Sequence, residues 1–223
     1  MKRSGVILMF LICLLPVRIE GTESIDPESV IARMEEAYKK VNDYRTNLEV
    51  RTYAANGPAE IKLIRYTFKK PCSIQLDFEK PDSGMVVVYP DREGKVAVRP
   101  LSWLPFVVLH KSVNDPQMEV SPGQRINQTD LGLLIQNIGH SVNGQRKGPV
   151  TTTSDRQNII ISVLADNHFQ KNVITHYTFY IDKKLWLPVK VEEKTPDGKL
   201  ERTVIFHDLK VNIGVPDSFF HLN

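Results

Sequence analysis

From Tyr44 onward the chain alternates apolar and polar residues with a period of two, and turn residues break the pattern at short intervals. A chain written this way puts one face of each segment in a core and the other in water, and it folds as hairpins of antiparallel strand. Leu48, Val50 and Thr52 open the series, and Asn56-Gly57-Pro58 turns it. Glu60 to Phe68 resumes, and Ile74-Gln75-Leu76-Asp77-Phe78-Glu79 alternates without a fault. Pro81-Asp82-Ser83-Gly84 and Asp91-Arg92-Glu93-Gly94 punctuate two shorter strands, Met85 to Tyr89 and Val96 to Val98. The second half repeats the style with Val150 to Thr153, Asn158 to Leu164, Val173 to Asp182, Leu185 to Glu193 and Leu200 to Leu209, the last two joined by Thr195-Pro196-Asp197-Gly198. Some strands are apolar on both faces. Ile61 and Leu63 oppose Ile64, Tyr66 and Phe68, and Ile174 and Tyr180 oppose Val173, Tyr177, Phe179 and Ile181. A sheet curled around a lumen, with helices packed on it, requires that pattern.

Two segments have helical spacing instead. Asp26-Pro27 supplies an N-cap and a first-turn proline, and Val30, Ile31, Met34, Ala37, Tyr38 and Val41 then form an apolar stripe opposite Glu28, Arg33, Glu35, Glu36, Lys39 and Lys40. Ile126, Leu131, Leu134, Ile135 and Ile138 form a second stripe, with Asn127 or Thr129 expected as N-cap and Gly139 as the stop. Asn127-Gln128-Thr129 also fits a glycosylation sequon, a pattern that capping residues at a helix start produce by themselves. Between the helices, Leu101 to Leu109 is apolar but bracketed by Pro100 and split by Pro105. Proline removes a backbone donor and turns its predecessor away from helix, so this stretch is expected to be a gate or lid over an apolar cavity, with a buried connector as the competing reading.

The N-terminus reads as an export signal. Lys2 and Arg3 precede the run Gly5 to Val17, which is shorter than the roughly 20 apolar residues that span a bilayer. Cleavage is expected after Gly21, giving residues 1–21 as signal peptide and 22–223 as one domain. Cys13 lies inside the apolar run behind Ile12, not behind the small residue that lipidation needs. The formal charge of +3 comes mostly from Lys2, Arg3 and Arg18, so the exported domain has no basic footprint for nucleic acid. It retains a single cysteine, Cys72, which excludes an internal disulfide, and a domain of this size buries a core without one.

Catalytic signatures are missing: no Gly-x-Ser-x-Gly elbow, His-Glu-x-x-His, glycine-rich phosphate loop or Cys-x-x-Cys. The histidines at 110, 140, 168, 176, 207 and 221 include no pair two to four positions apart. His176 and His207 fall on strands and can meet only across a sheet. No two carboxylates stand out as a general acid and base.

The order of the pieces resembles the bacterial lipoprotein-carrier (LolA/LolB-like) superfamily. An amphipathic helix precedes an extended strand at Tyr44. Phe68-Lys69-Lys70-Pro71 with Ile74 to Phe78 and Pro81 looks like that family's proline-marked strand pair. Ile181-Asp182-Lys183-Lys184-Leu185-Trp186-Leu187-Pro188-Val189-Lys190-Val191, the Asp197-Gly198 turn and the run from Phe206 through Asn212, Val215-Pro216-Asp217 and Phe219 look like its C-terminal end. The middle, Gly123 to Gly132, is closer to an uncharacterised exported branch. The resemblance implies a mainly β fold with α: a strongly curved, incomplete antiparallel β-barrel closed by helices. It also implies a periplasmic setting, no enzymatic activity and no cofactor. The implied partner is a lipid or acylated lipoprotein, with transient membrane contact. An envelope-protein partner in stress signalling is the alternative. The expected lining is Ile64, Tyr66, Phe68, Leu76, Phe78, Trp103, Phe106, Tyr177, Phe179, Val189 and Val191.

Overall fold

The computed structural model describes residues 25–54, 57, 59–104 and 106–222, so the expected signal segment, most of the Asn56-Gly57-Pro58 turn and Pro105 lie outside the described residues. The chain runs α1 (Pro27–Lys39), β1 (Asp43–Thr52), β2 (Glu60–Lys69), β3 (Ser73–Lys80), β4 (Val86–Tyr89), β5 (Val96–Arg99) and β6 (Leu109–Lys111). A small hairpin, β7 (Glu119–Ser121) and β8 (Gln124–Arg125), precedes α2 (Leu131–Asn143). Then come β9 (Thr151–Ser154), β10 (Asn158–Asp166), β11 (Ile174–Asp182), β12 (Pro188–Lys194) and β13 (Leu200–Val211).

Eleven strands form one antiparallel sheet in the order β6-β5-β4-β3-β2-β1-β13-β12-β11-β10-β9. Each hairpin pairs with its sequence neighbour, and the single non-local step joins β1 to β13 along Tyr44↔Val211 to Thr52↔Arg202. The outer strands β6 and β9 do not meet, so the barrel is open. Its curvature has local causes. The register slips by one residue at Glu79, Val189 and Glu201, and again at Asp208-Leu209, which together oppose Thr46; there Asp208 takes φ 53° and Thr46 Oγ1 donates to the His207 carbonyl at 2.7 Å. An unpaired residue bends its strand and increases the twist.

Both helices lie in the concave face. Asp26 caps α1 by accepting from the Glu28 and Ser29 amides, and Val30, Ile31 and Met34 are buried beneath it. The cap of α2 is Asp130, which accepts from the Gly132 and Leu133 amides, not the expected Asn127 or Thr129. Those two belong to the turn before the helix (Ile126–Gln128 is a 3-10 turn). The helix also runs through Gly139 to Asn143, because Ile138, Ser141 and Val142 continue its buried face. A Cβ on Gly132 would stand 2.4 Å from the Tyr38 ring, so glycine is what lets α2 close on α1 there. Tyr38 in turn donates to Asp130 at 3.1 Å.

The convex face carries a second, smaller core. The chain after β13 folds back over β4, where Val215 and Phe220 bury Val86 and Val88. Asp43, itself buried, anchors this return: its carboxylate accepts the amides of Ile213, Gly214 and Val215. Lys69 donates to the Val215 carbonyl at 2.9 Å and pairs with Asp217.

The segment Leu101 to Leu109 is not a lid. Its described residues before Leu109, which opens β6, form turns and irregular chain between β5 and β6, with Trp103 72% and Phe106 78% exposed. No described element packs over these rings.

Candidate ligand-binding cavity

Register fixes which side chains meet inside the half-barrel, because residues directly opposite one another share a face. One row across the concave face runs Phe179, Val191, Val204, Val50 and Lys62. The next, deeper in, runs Phe206, Leu48, Ile64 and Phe78, and a third runs Tyr66, Leu76, Val87 and Val98. On the other side of the first row, toward one end of the sheet, stand Tyr177, Glu193, Arg202 and Thr52. These rows, Thr52 apart, line a cavity of about 300 Å³.

The cover comes from the polar stretch that precedes α2. Gln117, Met118, Glu119, Val120, Gln124, Ile126, Gln128 and Thr129 face the cavity, joined by Asp130, Leu134 and Asn137 of α2 and by His168 and Phe169. Gln124 Nε2 donates to the Gln128 carbonyl and Tyr66 Oη lies 3.1 Å from Thr129 Oγ1, which ties the cover to itself and to the sheet. At the β7–β8 turn Gly123 has φ 75°, and a Cβ there would stand 2.5 Å from the Phe169 carbonyl oxygen. Only glycine fits that contact, which seats the hairpin on the loop holding His168.

Of the expected lining, Ile64, Tyr66, Leu76, Phe78, Tyr177, Phe179 and Val191 come together on the cavity wall. Phe68 does not: it is fully buried beneath Tyr44, ring centroids 4.9 Å apart. Val189 is the unpaired residue of the β11–β12 bulge, which takes it out of phase with Val191. Trp103 and Phe106 stand outside in solvent. Val50, Val204 and Phe206 were not among the expected residues, although the phase of their strands marks them. Met118 and Val120 were missed too, and their alternation with Gln117 and Glu119 is a strand signal inside a polar tract.

The polar groups of the cavity divide by how they are held. Burial pushes the His168 imidazole down to about 4, with the nearby charge of His140 adding to it. The ring stacks on Tyr177 at 4.3 Å, and its Nε2 lies 2.7 Å from Ser141 Oγ. Ser141 has no exposed surface, so this pair is a core hydrogen bond and not an accessible nucleophile. Burial raises the Glu193 carboxyl, opposed by Arg202, whose Nη1 lies 3.6 Å from Glu193 Oε1. Among the described residues no group of three His, Cys, Asp or Glu is placed to hold a metal ion, and no helix is long and apolar enough to cross a membrane.

No protein-family profile matches the chain, and no curated protein sequence does. Its likenesses are to solved structures. An uncharacterised conserved protein from Thermus thermophilus is 10% identical, with a TM-score of 0.51 over 86% of this chain and 91% of that one. MucB, solved in complex with MucA(peri) and known from Pseudomonas aeruginosa, is 12% identical with a TM-score of 0.50, covering 89% of this chain but only 60% of MucB's. A LolA superfamily protein from Nitrosomonas europaea is 11% identical with a TM-score of 0.43, over 88% and 98% of the two chains. At these identities the likeness is one of fold alone: an open, curved antiparallel sheet closed by helices.

Proposed function

We propose that this protein is a periplasmic, non-catalytic carrier or binding protein that holds a lipid or lipoprotein acyl chain in the half-barrel, in the sorting of lipoproteins to the outer membrane. The observation that carries the reading is the cavity itself, walled by aliphatic and aromatic side chains from both halves of the sheet and covered by a separate hairpin. Burial of hydrocarbon contributes about 0.8 kcal/mol per methylene, so an acyl chain needs a dry, shaped pocket and no reactive group. The exposed side chains Ile61, Leu101, Trp103, Phe106, Val173 and Ile174 all belong to the end of the sheet where Arg202 and Glu193 stand. Apolar surface gathered at that end suits transient contact with a bilayer during transfer.

Native mass spectrometry of the gently purified protein tests the reading. An extractable acyl-chain species on the wild type, lost from Val204→Trp, which fills the first apolar row, is the expected result. A wild type that carries no lipid and takes up no acyl-chain probe overturns it.

The second reading, a protein-interaction module in envelope-stress signalling, draws on the structure of MucB in complex with MucA(peri). On that reading the Leu101 to Leu109 segment and the sheet edges meet a protein. A stoichiometric protein partner whose capture depends on Trp103 and Phe106, with the cavity empty, would favour it.

A further inference from the structure

The cavity wall changes character at its outermost row. Arg202 and Glu193 face the lumen side by side there, and Lys62, at the end of the next row and two strands away, is the one charged residue of the deeper rows. Arg202 is the unusual member. Its side chain is 17% exposed, yet the guanidinium makes no hydrogen bond among the described residues, and its one ionic contact, 3.6 Å to Glu193, exceeds hydrogen-bond length. A guanidinium has five donors that carboxylate or carbonyl partners ordinarily satisfy, and one without a hydrogen bond in a cavity wall is a donor set facing the place a ligand would occupy. Lys62 is more exposed, and among the described residues it pairs with Glu60, at 3.5 Å on the rim.

Four carboxylates, Asp82, Glu119, Asp130 and Glu193, line the same cavity, so the pair acts locally and not through the net charge of the wall. Asp130 is occupied by the Gly132 and Leu133 amides and by Tyr38 Oη, and Glu119 accepts from the Gly123 amide. Asp82 stands exposed in the turn after β3. Burial raises the Glu193 carboxyl, with Arg202 acting against it.

We propose that Arg202, supported by Lys62, is the head-group site of this cavity, and that the ligand is a single-chain amphiphile with an anionic head, of the fatty-acid carboxylate class. Arg202 and Phe206 lie on one face of β13, and four residues of strand span about 13 Å. With the head at Arg202, a chain of that reach passes Val204 and Val191 and ends among Phe206, Leu48 and Ile64. A volume of about 300 Å³ sits at the small end of ligand pockets and takes one such chain rather than several. The assignment rests on the carrier reading and adds the polarity and number of chains to it.

Titration calorimetry of the full exported chain with laurate, 1-dodecanol and dodecylammonium at neutral pH separates the head-group site from the carrier reading. Laurate is expected to bind the wild type at least tenfold tighter than dodecanol. Arg202→Gln should bring laurate to the dodecanol value and leave dodecanol unchanged, while Arg202→Lys retains part of the preference. The wild-type comparison needs no variant, so a poorly folded Arg202→Gln does not decide it. Equal affinity for laurate and dodecanol, or preference for dodecylammonium, overturns the head-group site while the acyl-chain cavity stands. Failure of the wild type to bind any of the three overturns the carrier reading, and this assignment with it.

Discussion

Asp43 and Glu193 are carboxylates at opposite ends of the same sheet, and they are treated differently. Asp43, at the start of β1, is enclosed and accepts three backbone amides from the returning C-terminal segment. Glu193, near the end of β12, faces the cavity with one long contact to Arg202. The first is a joint: both of its oxygens are used to hold the tail over the convex face. The second is left with unmet hydrogen-bonding capacity in a wall that is otherwise mostly hydrocarbon. Satisfied buried polar groups rigidify a fold, and unsatisfied ones in a cavity mark where a ligand supplies the missing partner.

Substitution should separate these roles sharply. Asp43→Ala strands three amides and is expected to cost about 3–5 kcal/mol in urea unfolding, while Glu193→Gln, which keeps shape and polarity, should stay within about 1 kcal/mol. Equal losses at the two sites would erase the distinction between joint and cavity wall.

His168 sharpens the comparison in a second way, since it is buried neutral at the cavity edge. Its folded value of about 4 lies below the unfolded value of 6.5. A depressed histidine contributes stability that is fully present above the unfolded value and is lost as pH falls from about 6.5 toward 4, because the unfolded chain takes up the proton first. The linked loss is roughly 3 kcal/mol in total, about 2 of it by pH 5. Unfolding free energies of wild type and His168→Asn, measured from pH 7.5 to 5, should converge by that amount. Parallel profiles would contradict burial of a neutral ring.

The cover gives a smaller effect. Gly123→Ala forces a side chain into positive φ and against the Phe169 carbonyl, so it should cost about 1–2 kcal/mol and speed ligand release in stopped-flow displacement. Unchanged release would remove the β7–β8 hairpin from the role of cover. Smallest of all, Trp103→Ala and Phe106→Ala should shift stability by no more than about 0.5 kcal/mol, against the roughly 3–5 kcal/mol typical of a buried aromatic ring. A melt that collapses for either would mean those rings are core.

The meander was legible because alternation and turns are local signals: β3 to β5 and β9 to β13 lie within a few residues of where the pattern puts them, whereas β6, β7 and β8 fall in stretches not read as strand, and the open, curved sheet follows from the order of the regular strands. The lining was legible where strands are regular, as at Ile64, Tyr66, Phe179 and Val191. It failed where an unpaired residue resets the phase, as at Val189, or where a residue lies under a neighbouring ring, as Phe68 lies under Tyr44. Neither event has a signature in one strand read alone. The cover was missed because composition misleads in both directions. The apolar 101–109 stretch leaves Trp103 and Phe106 in solvent, and the polar 117–129 stretch closes the cavity with Met118, Val120 and Ile126. Glu193 and Arg202 share the phase of Val191 and Val204, so strict strand phasing would have placed both charges inside.

The central claim is that a single acyl chain lies along β13 with its head toward Arg202. Methyl-labelled NMR of the protein titrated with laurate tests this most directly. Saturable shift changes are expected at Val50, Val191, Val204, Leu48 and Ile64, and none at Val86, Val88 or Val215 in the convex core. Changes confined to the convex core or to the 101–109 segment, or no saturable change at all, would contradict it.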